Sequence, residues 1–185
     1  MAEESGVAVL SIIYYTDNTL PEGLETTVQQ QLVLSAEGKP IISVSQKPLT
    51  FGENICLGDI GRSHLSIYRQ MLAGGEAADT EWIGLAEHDC MYTPEHWNFV
   101  PSDKGIFWYN INHYFVNTAT GEYSFQRRRV LSMLICARDI FLRAVREKVW
   151  MLEQGYMLRK GMAGAMEPGC IPNEKAFIKI TLRSM

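Results

Sequence analysis

The chain has 185 residues, of which 46% are hydrophobic and 21% charged, values typical of a globular protein with one substantial core. Its formal net charge of −4 excludes a global attraction to nucleic acid or to anionic membranes, although a local basic patch is compatible with it. The four cysteines are far apart and form no C-x-x-C pair, so we predict buried thiols rather than a zinc site or a disulfide framework.

The first 45 residues predict two parallel strands joined by a helix. Residues 7–15 are almost continuously apolar, as expected of a strand covered on both faces. This run is too short to span a bilayer and follows two glutamates, so we predict a cytosolic protein without a membrane span. Pro21 opens a helix that extends through Ala36, and residues 40–45 form the second strand. Such an order favours parallel pairing through a right-handed crossover.

Residues 46–61 contain a proline and three glycines and are predicted to form a long functional loop. The later predicted elements are a helix over 62–78, a strand over 81–86, a short helix over 94–99, a strand over 105–110, a hairpin over 111–116 and 123–125, a strand over 130–136, a long helix over 139–159 and an apolar run at 177–182. This succession predicts an α/β fold with a central, mostly parallel mixed sheet flanked by helices.

Two acids follow the predicted buried strand that ends at Ala86. Glu87 and Asp89, with His88 between them, stand where ligands bind in open α/β sheets, beyond the carboxyl ends of the strands. Burying a pair of acids is costly unless a cation neutralises them. The pattern therefore predicts a divalent-metal site for a nucleotide diphosphate, and its alternative is a solvated acidic turn.

Three segments, in this order, resemble nucleotide-sugar glycosyltransferases of the GT-A type, in particular small bacterial and phage members. They are residues 12–18 after the first strand, residues 58–63 together with 68–70, and residues 86–89, where the family has Asp-x-Asp. The resemblance covers residues 9 to about 140. It implies one Rossmann-like GT-A domain over residues 1–185.

In such a domain the nucleotide-binding half comprises about 7–100 and the acceptor half about 101–185. The implied activity is transfer of a sugar from a nucleotide-diphosphate sugar to an acceptor hydroxyl, with Mn²⁺ or Mg²⁺ as the cofactor. The resemblance leaves the acceptor open. A glycan or modified DNA is the acceptor suggested by analogy with phage-like members.

The resemblance implies roles for the residues around the acids. Asp89 is the direct metal ligand, because hard cations take oxygen ligands. The first acid of the motif is Glu87 rather than Asp, so it either contacts the ribose or binds the metal through water. His88 lies between them in the nucleotide site.

The end of the first strand is implied to bind the nucleotide base. Asp17 accepts a hydrogen bond from the base, flanked by Tyr15 and Thr16. The alternative role of Asp17 is an Asx turn or a helix cap. Arg62 and Arg69 supply positive charge toward the base or the phosphates, with Arg62 favoured by its place at a helix start and Arg69 otherwise a surface residue.

Two acids are candidates for a catalytic base, which an inverting transfer requires. Asp139 stands at the start of the predicted long helix, where it also complements the helix dipole. Glu167 lies in a Gly- and Pro-rich segment of the kind that closes over a bound donor.

One departure from the family bears on activity. GT-A enzymes commonly have a further metal-binding histidine near the C-terminus, and this sequence has no histidine after His113. Either water completes the coordination of the metal, or the protein is a catalytically weak or inactive sugar-nucleotide-binding protein. A second alternative is a nucleotidyltransferase, which shares the site formed by the strand and the acids. The latter class carries a Gly-rich basic loop after the first strand, which residues 16–19 lack.

An aromatic and basic region completes the set of candidates. The rings of Trp108, Tyr109, Tyr114 and Phe115 predict either a stacking platform for sugar or base, or part of the core. The three arginines at 127–129 predict either a guide for a phosphate-rich acceptor, DNA included, or a solvated loop.

Overall fold

The computed structural model describes residues 10–155; residues 7–9, Glu167 and the predicted run at 177–182 lie outside the described residues. The strands are β1 (Leu10–Tyr15), β2 (Ile41–Ser45), β3 (Glu53–Cys56), β4 (Trp82–Glu87), β5 (Trp108–Tyr109), β6 (His113–Val116), β7 (Tyr123–Gln126) and β8 (Leu134–Ala137). The α-helices are α1 (Glu22–Ala36), α2 (His64–Ala77), α3 (Pro94–Trp97) and α4 (Arg138–Glu153).

Six strands form one sheet in the order β3-β2-β1-β4-β8-β5, and β6 pairs with β7 as a separate hairpin. Strands β3, β2, β1 and β4 are mutually parallel, whereas β8 is antiparallel to both β4 and β5. The fold is therefore α/β with a mostly parallel mixed sheet, as the sequence predicts. The chain moves outward from β1 to β3 and then crosses to β4 on the other side of β1. This reversal opens a crevice between the ends of β1 and β4, a position where α/β proteins bind ligands.

Both faces of the sheet are covered, because successive side chains of a strand point to opposite faces. On β1, Ile13 and Tyr15 join the core beneath α2 and α4, while Ile12 and Tyr14 join the core beneath α1 and α3. All four side chains are buried. The continuous apolar run in β1 is thus explained by its central position.

Helix α1 follows the prediction within one residue. Pro21 precedes its first turn, and Val28 and Leu32 are buried on its inner face. The helix ends because Glu37 and Gly38 both take positive φ values, of 50° and 83°, which a right-handed helix does not allow.

The predicted loop over 46–61 contains an unpredicted edge strand, β3. The chain returns from β2 through only residues 46–52, and Asn54 binds the two strands by donating to the Oγ atoms of Ser43 and Ser45 at 2.9 and 3.0 Å. Gly52 has a φ of 58°, and a Cβ there would lie 2.4 Å from the carbonyl oxygen of Ile41. The tight return therefore requires glycine at this position.

Helix α2 lies very close to its neighbours. A Cβ on Gly74 would be 2.5 Å from Ile13 Cγ2 of β1, and a Cβ on Gly75 would be 2.7 Å from Phe141 Cε1 of α4. Two adjacent glycines thus set the distance of α2 from the sheet on one side and from α4 on the other.

The predicted strand over 130–136 divides into a 3₁₀ turn, Leu131–Met133, and the short strand β8. The predicted hairpin is present as β6 and β7. In the part of the chain that is described, no helix has the length and apolar character needed to cross a membrane.

Candidate functional site

The candidate site lies where β1 and β4 end side by side. Tyr15 is the register partner of Glu87, and its hydroxyl donates a hydrogen bond of 2.7 Å to Glu87 Oε1. One residue further along each chain, Thr16 Oγ1 lies 2.7 Å from His88 Nδ1. The predicted nucleotide-binding residues from two distant segments are therefore joined directly by side-chain hydrogen bonds.

The residues after β4 bring together groups that suit a metal ion. Ligand atoms of Glu87, Asp89 and Cys90 all lie within 4.8 Å of one another. Asp89 is exposed, whereas Glu87 and Cys90 are half-buried. Two carboxylates at this spacing match the oxygen ligands that Mn²⁺ and Mg²⁺ prefer, so the residues present fit a hard divalent cation.

Burial controls the protonation of this group. It raises the pKa of the Glu87 carboxyl, and the nearby Asp89 charge acts in the same direction, although the hydrogen bond from Tyr15 opposes both. Burial, reinforced by the charges of Glu87 and Asp89, raises the pKa of the Cys90 thiol to about 12. The thiol therefore stays protonated at neutral pH in the absence of a cation, and the carboxylates of Glu87 and Asp89 are the oxygen ligands that this group offers.

Replacing Glu87 by Gln is expected to stabilise the protein while weakening its metal binding. The pKa of Glu87 is higher in the folded state than in the unfolded state, so ionisation of this carboxyl favours unfolding. The resulting loss of stability begins above the unfolded-state pKa and is complete once the pH exceeds the folded-state pKa. The amide still accepts from Tyr15 but carries no charge. We expect the Tm at pH 8 to rise by a few degrees and the added stability from Mn²⁺ to be lost. Equal Tm values for both proteins at pH 8 would contradict this account.

Replacing Tyr15 by Phe is expected to cost about 1–3 kcal/mol of unfolding free energy, because a mostly buried carboxylate loses its donor. The same change removes an interaction that lowers the pKa of Glu87, so Mn²⁺ binding should require a higher pH. Urea unfolding and the pH profile of Mn²⁺ binding measure the two effects. Tyr14→Phe is the matched control, since Tyr14 is a buried tyrosine of the same strand that faces the opposite side of the sheet from Tyr15.

Asp17 occupies the predicted position at the end of β1 and is held by several groups. Its Oδ1 accepts hydrogen bonds from the backbone N–H and the hydroxyl of Thr19, at 3.1 and 2.6 Å. Its Oδ2 lies 2.6 Å from Nε of Arg62, and Oδ1 lies 3.6 Å from His88 Nδ1. Burial acts to raise the pKa of Asp17, but the Thr19 hydrogen bond and the His88 and Arg62 charges lower it overall. Asp17 is thus a negatively charged acceptor beside His88.

Two buried residues to which the sequence analysis assigned no role support this edge. Gln70 donates to the carbonyl oxygens of Thr16 and Val44, at 2.6 and 3.1 Å, and so fixes the end of β1. The Tyr92 hydroxyl accepts from the backbone N–H of Glu87 at 3.1 Å. A signal for Gln70 exists in the sequence, because it lies on a helical stripe with the small residues Ser66 and Gly74, which allow close approach to the sheet.

Other predicted site residues are not brought to this crevice. Arg69 forms an ion pair of 2.9 Å with Glu153 of α4. Asp139 follows Ala137, which pairs with Trp82 at the start of β4, whereas the acids follow the end of β4. About 16 Å of strand therefore separates the two edges. Asp139 instead lines a surface pocket together with Asp79 and Lys104, and this placement does not support its role as the catalytic base.

No family model and no curated protein matches the chain. Among solved structures, it is similar to the bifunctional IspDF from Campylobacter jejuni, with 10% identity and a TM-score of 0.55 over 95% of this chain and 49% of that one. The chain thus spans about half the length of that enzyme. It is similar to a glycosyltransferase involved in the glycosylation of the major capsid of PBCV-1, with 13% identity and a TM-score of 0.55 over 95% of this chain and 81% of that one. The chain therefore has a Rossmann-like α/β fold that it shares with a known glycosyltransferase and with a second, bifunctional enzyme.

Proposed function

We propose that the protein is a glycosyltransferase that moves a sugar from a nucleotide-diphosphate sugar to an acceptor hydroxyl with the help of a divalent cation. One observation carries this proposal: Glu87 and Asp89 lie together at the end of β4. Hydrogen bonds between Glu87 and Tyr15 and between His88 and Thr16 join this segment to the end of β1. The two acids lie beside the strand end that is proposed to face the nucleotide, and the fold is shared with a glycosyltransferase; both facts support the proposal.

In this proposal Asp89 and Glu87 hold Mn²⁺ or Mg²⁺, which supplies positive charge against the charge that grows on the leaving diphosphate. Tyr15 donates to one oxygen of Glu87 and orients this side chain, while the exposed Asp89 carboxylate is open to the ligand. The cation also offsets the unfavourable burial of the Glu87 charge.

The nucleotide base lies against Tyr15, Thr16 and Asp17 in the proposed complex. Arg62 pairs with Asp17 but is 71% exposed at its side chain, so the ion pair is weak enough for a base N–H to replace it. Arg62 is then free to turn toward the phosphates. Arg69 is not needed in this arrangement because Glu153 binds it. No described residue is assigned as the catalytic base of the transfer reaction, and Glu167 remains a prediction for this role.

The test is thermal unfolding of the full chain against a panel of nucleoside diphosphates, with and without Mn²⁺. The expected result is a rise in Tm that requires both ligands and depends on one base or a few. Asp89→Ala should remove the metal-dependent part of the rise. Asp79→Ala is a matched control, because Asp79 is an exposed acid at the opposite edge of the sheet. Stabilisation by nucleotides that is equal with EDTA and with Mn²⁺ would remove the metal from the proposal.

A nucleotidyltransferase is compatible with the same fold. The segment after β1 argues against it, since Asn18 adopts a φ of 57° and accepts from the backbone N–H groups of Gln46 and Lys47, with no basic residue in the turn over 16–19. The product separates the classes: a glycosyltransferase releases a nucleoside diphosphate from a sugar nucleotide, whereas a nucleotidyltransferase releases pyrophosphate from a nucleoside triphosphate. A sugar-nucleotide-binding protein without activity would bind the donor and release neither.

We propose that residues of about 7–100 bind the donor and that residues of about 101–185 bind the acceptor. The proposed acceptors are a glycan or modified DNA, as the resemblance implies, and the proposed compartment is the cytoplasm.

A further inference from the structure

The β6–β7 hairpin exposes an unusual amount of apolar surface. Exposed fractions are 58% for Tyr114, 50% for Phe115, 60% for Val116, 74% for Tyr123 and 46% for Phe125. Tyr114 pairs with Phe125 and Val116 with Tyr123, so four of these residues share one face, and Phe115 lies on the other. Contiguous exposed rings of this kind mark a binding surface.

Three arginines follow β7 directly, and two of them lie over these rings. The guanidinium carbon of Arg128 lies 4.7 Å from the centroid of Phe115, and that of Arg127 lies 5.8 Å from the centroid of Phe125. Among residues 10–155, no ion pair with a carboxylate involves Arg127, Arg128 or Arg129. Each face of the hairpin therefore presents an aromatic ring together with a cation that lacks an acidic partner.

His113 adds a buried polar group to the face that carries Phe115. It is only 7% exposed, and its ring packs edge-on to Phe115 at 6.2 Å. Burial, followed by the charge of Arg128, lowers the pKa of His113, and a hydrogen bond with the backbone of Asn110 opposes both. The contact with His113 helps to fix the orientation of the Phe115 ring.

The topology places this hairpin beside the candidate site. Strand β5 runs antiparallel to β8, which runs antiparallel to β4, so β5 and β4 point in the same direction. The chain leaves β5 after Tyr109 and enters β8 at Leu134. The hairpin between them therefore projects from the same edge of the sheet as Glu87 and Asp89.

We infer that the β6–β7 hairpin binds single-stranded nucleic acid, with Tyr114 and Tyr123 stacking on bases and Arg127, Arg128 and Arg129 contacting phosphates. Aromatic rings interleaved with arginines are what such ligands require, because every base has a π-face and every nucleotide an anionic oxygen. The apolar interior of a membrane does not supply the anionic oxygens that the three arginines require. A second copy would bring the same three arginines against each other. The binding itself does not rest on the proposed transfer reaction; only the use of this polymer as the acceptor does.

The test is fluorescence anisotropy of a labelled 20-nucleotide oligo-dT with the full-length protein over a range of salt concentrations. The wild type should bind, and R127Q/R128Q/R129Q should bind roughly tenfold more weakly or worse at 50 mM salt. The slope of log K against log[salt] should fall in magnitude by about 2 in this variant, since three phosphate contacts are lost. Arg143→Gln, at an exposed arginine of α4, is the control that should change neither value.

Stacking is tested separately from charge. Tyr114→Ala should weaken oligo-dT binding roughly five- to hundredfold, and Tyr114→Phe should restore it because the ring face is kept. Heparin serves as an anionic polymer without bases, and its binding should be insensitive to Tyr114→Ala. Circular dichroism and Tm confirm that each variant is folded.

Four outcomes would overturn the inference: no binding of oligo-dT, equal binding of oligo-dT and heparin with no effect of Tyr114→Ala, dimerisation of the free protein that depends on Tyr114, or tyrosine-dependent binding to anionic vesicles without binding to the oligonucleotide. The proposed reaction fails independently. Asp89→Ala should bind oligo-dT normally, and R127Q/R128Q/R129Q should keep its metal-dependent stabilisation by nucleotides.

Discussion

Asp89→Ala is expected to lower kcat/KM for release of nucleoside diphosphate from a sugar nucleotide by about a hundredfold or more. Asp89 is the exposed acid of the cluster and therefore the ligand with the freest access to a cation. Removing it leaves only Glu87, one oxygen of which is already bound by Tyr15. Loss of charge stabilisation by a metal is worth several kcal/mol in the transition state, which corresponds to this range of rates.

The measurement is nucleotide release under initial-rate conditions at saturating Mn²⁺, with Asp79→Ala as the matched exposed acid. Because Asp89 is exposed and its side chain accepts only a weak hydrogen bond of 3.5 Å from the Cys90 thiol among the described contacts, the change should leave the Tm within a few degrees of the wild type. A variant that folds normally and keeps its full rate would show that the acids do not hold the cation.

Trp97→Ala is expected to cost about 3–5 kcal/mol of unfolding free energy, the largest effect on stability. The side chain is 1% exposed, and its Nε1 donates to Ser35 Oγ of α1 at 3.1 Å. Its ring also fills the space left by Gly84, since a Cβ there would lie 2.7 Å from Cζ3. Truncation opens a cavity between α1, α3 and β4 and leaves the Ser35 hydroxyl with one fewer partner.

Urea unfolding measures this loss as a lower midpoint at an unchanged slope. Leu34→Ala is the control, because Leu34 is 76% exposed on the same helix that Trp97 contacts and should change stability by about 0.5 kcal/mol or less. A loss for Trp97→Ala no larger than that of the control would mean that the contact beneath Gly84 contributes little.

The elements at the centre of the sheet were predictable because burial leaves a strong pattern. Strands β1 and β2 and helix α1 agree with the prediction within a few residues, since each carries a continuous or periodic apolar set. Strand β3 was missed for the converse reason. It is a short edge strand that contains Glu53 and Asn54, and backbone pairing together with the side-chain hydrogen bonds of Asn54 attaches it to β2.

The direction of β8 explains why Asp139, a predicted candidate for the catalytic base, lies far from Glu87 and Asp89. A buried strand has the same apolar pattern whether it runs parallel or antiparallel to its neighbour, so the residues do not specify which edge of the sheet follows it. A parallel β8 would have brought Asp139 to the acids, and the observed antiparallel β8 takes it to the other edge. The acids after β4 needed no such information, because they follow their strand directly.

The two glycines near the C-terminal end of α2 fix the position of that end of the helix. Gly74 rests on β1 and Gly75 on α4, while Arg62 stands just before the other end of the helix, about 18 Å away at the helical rise per residue. A methyl group added at either glycine would tilt α2, and the end of the helix next to Arg62 would move farther than the end at the glycines. A methyl group on Gly74 or Gly75 is therefore expected to change the spacing between Arg62 and Asp17.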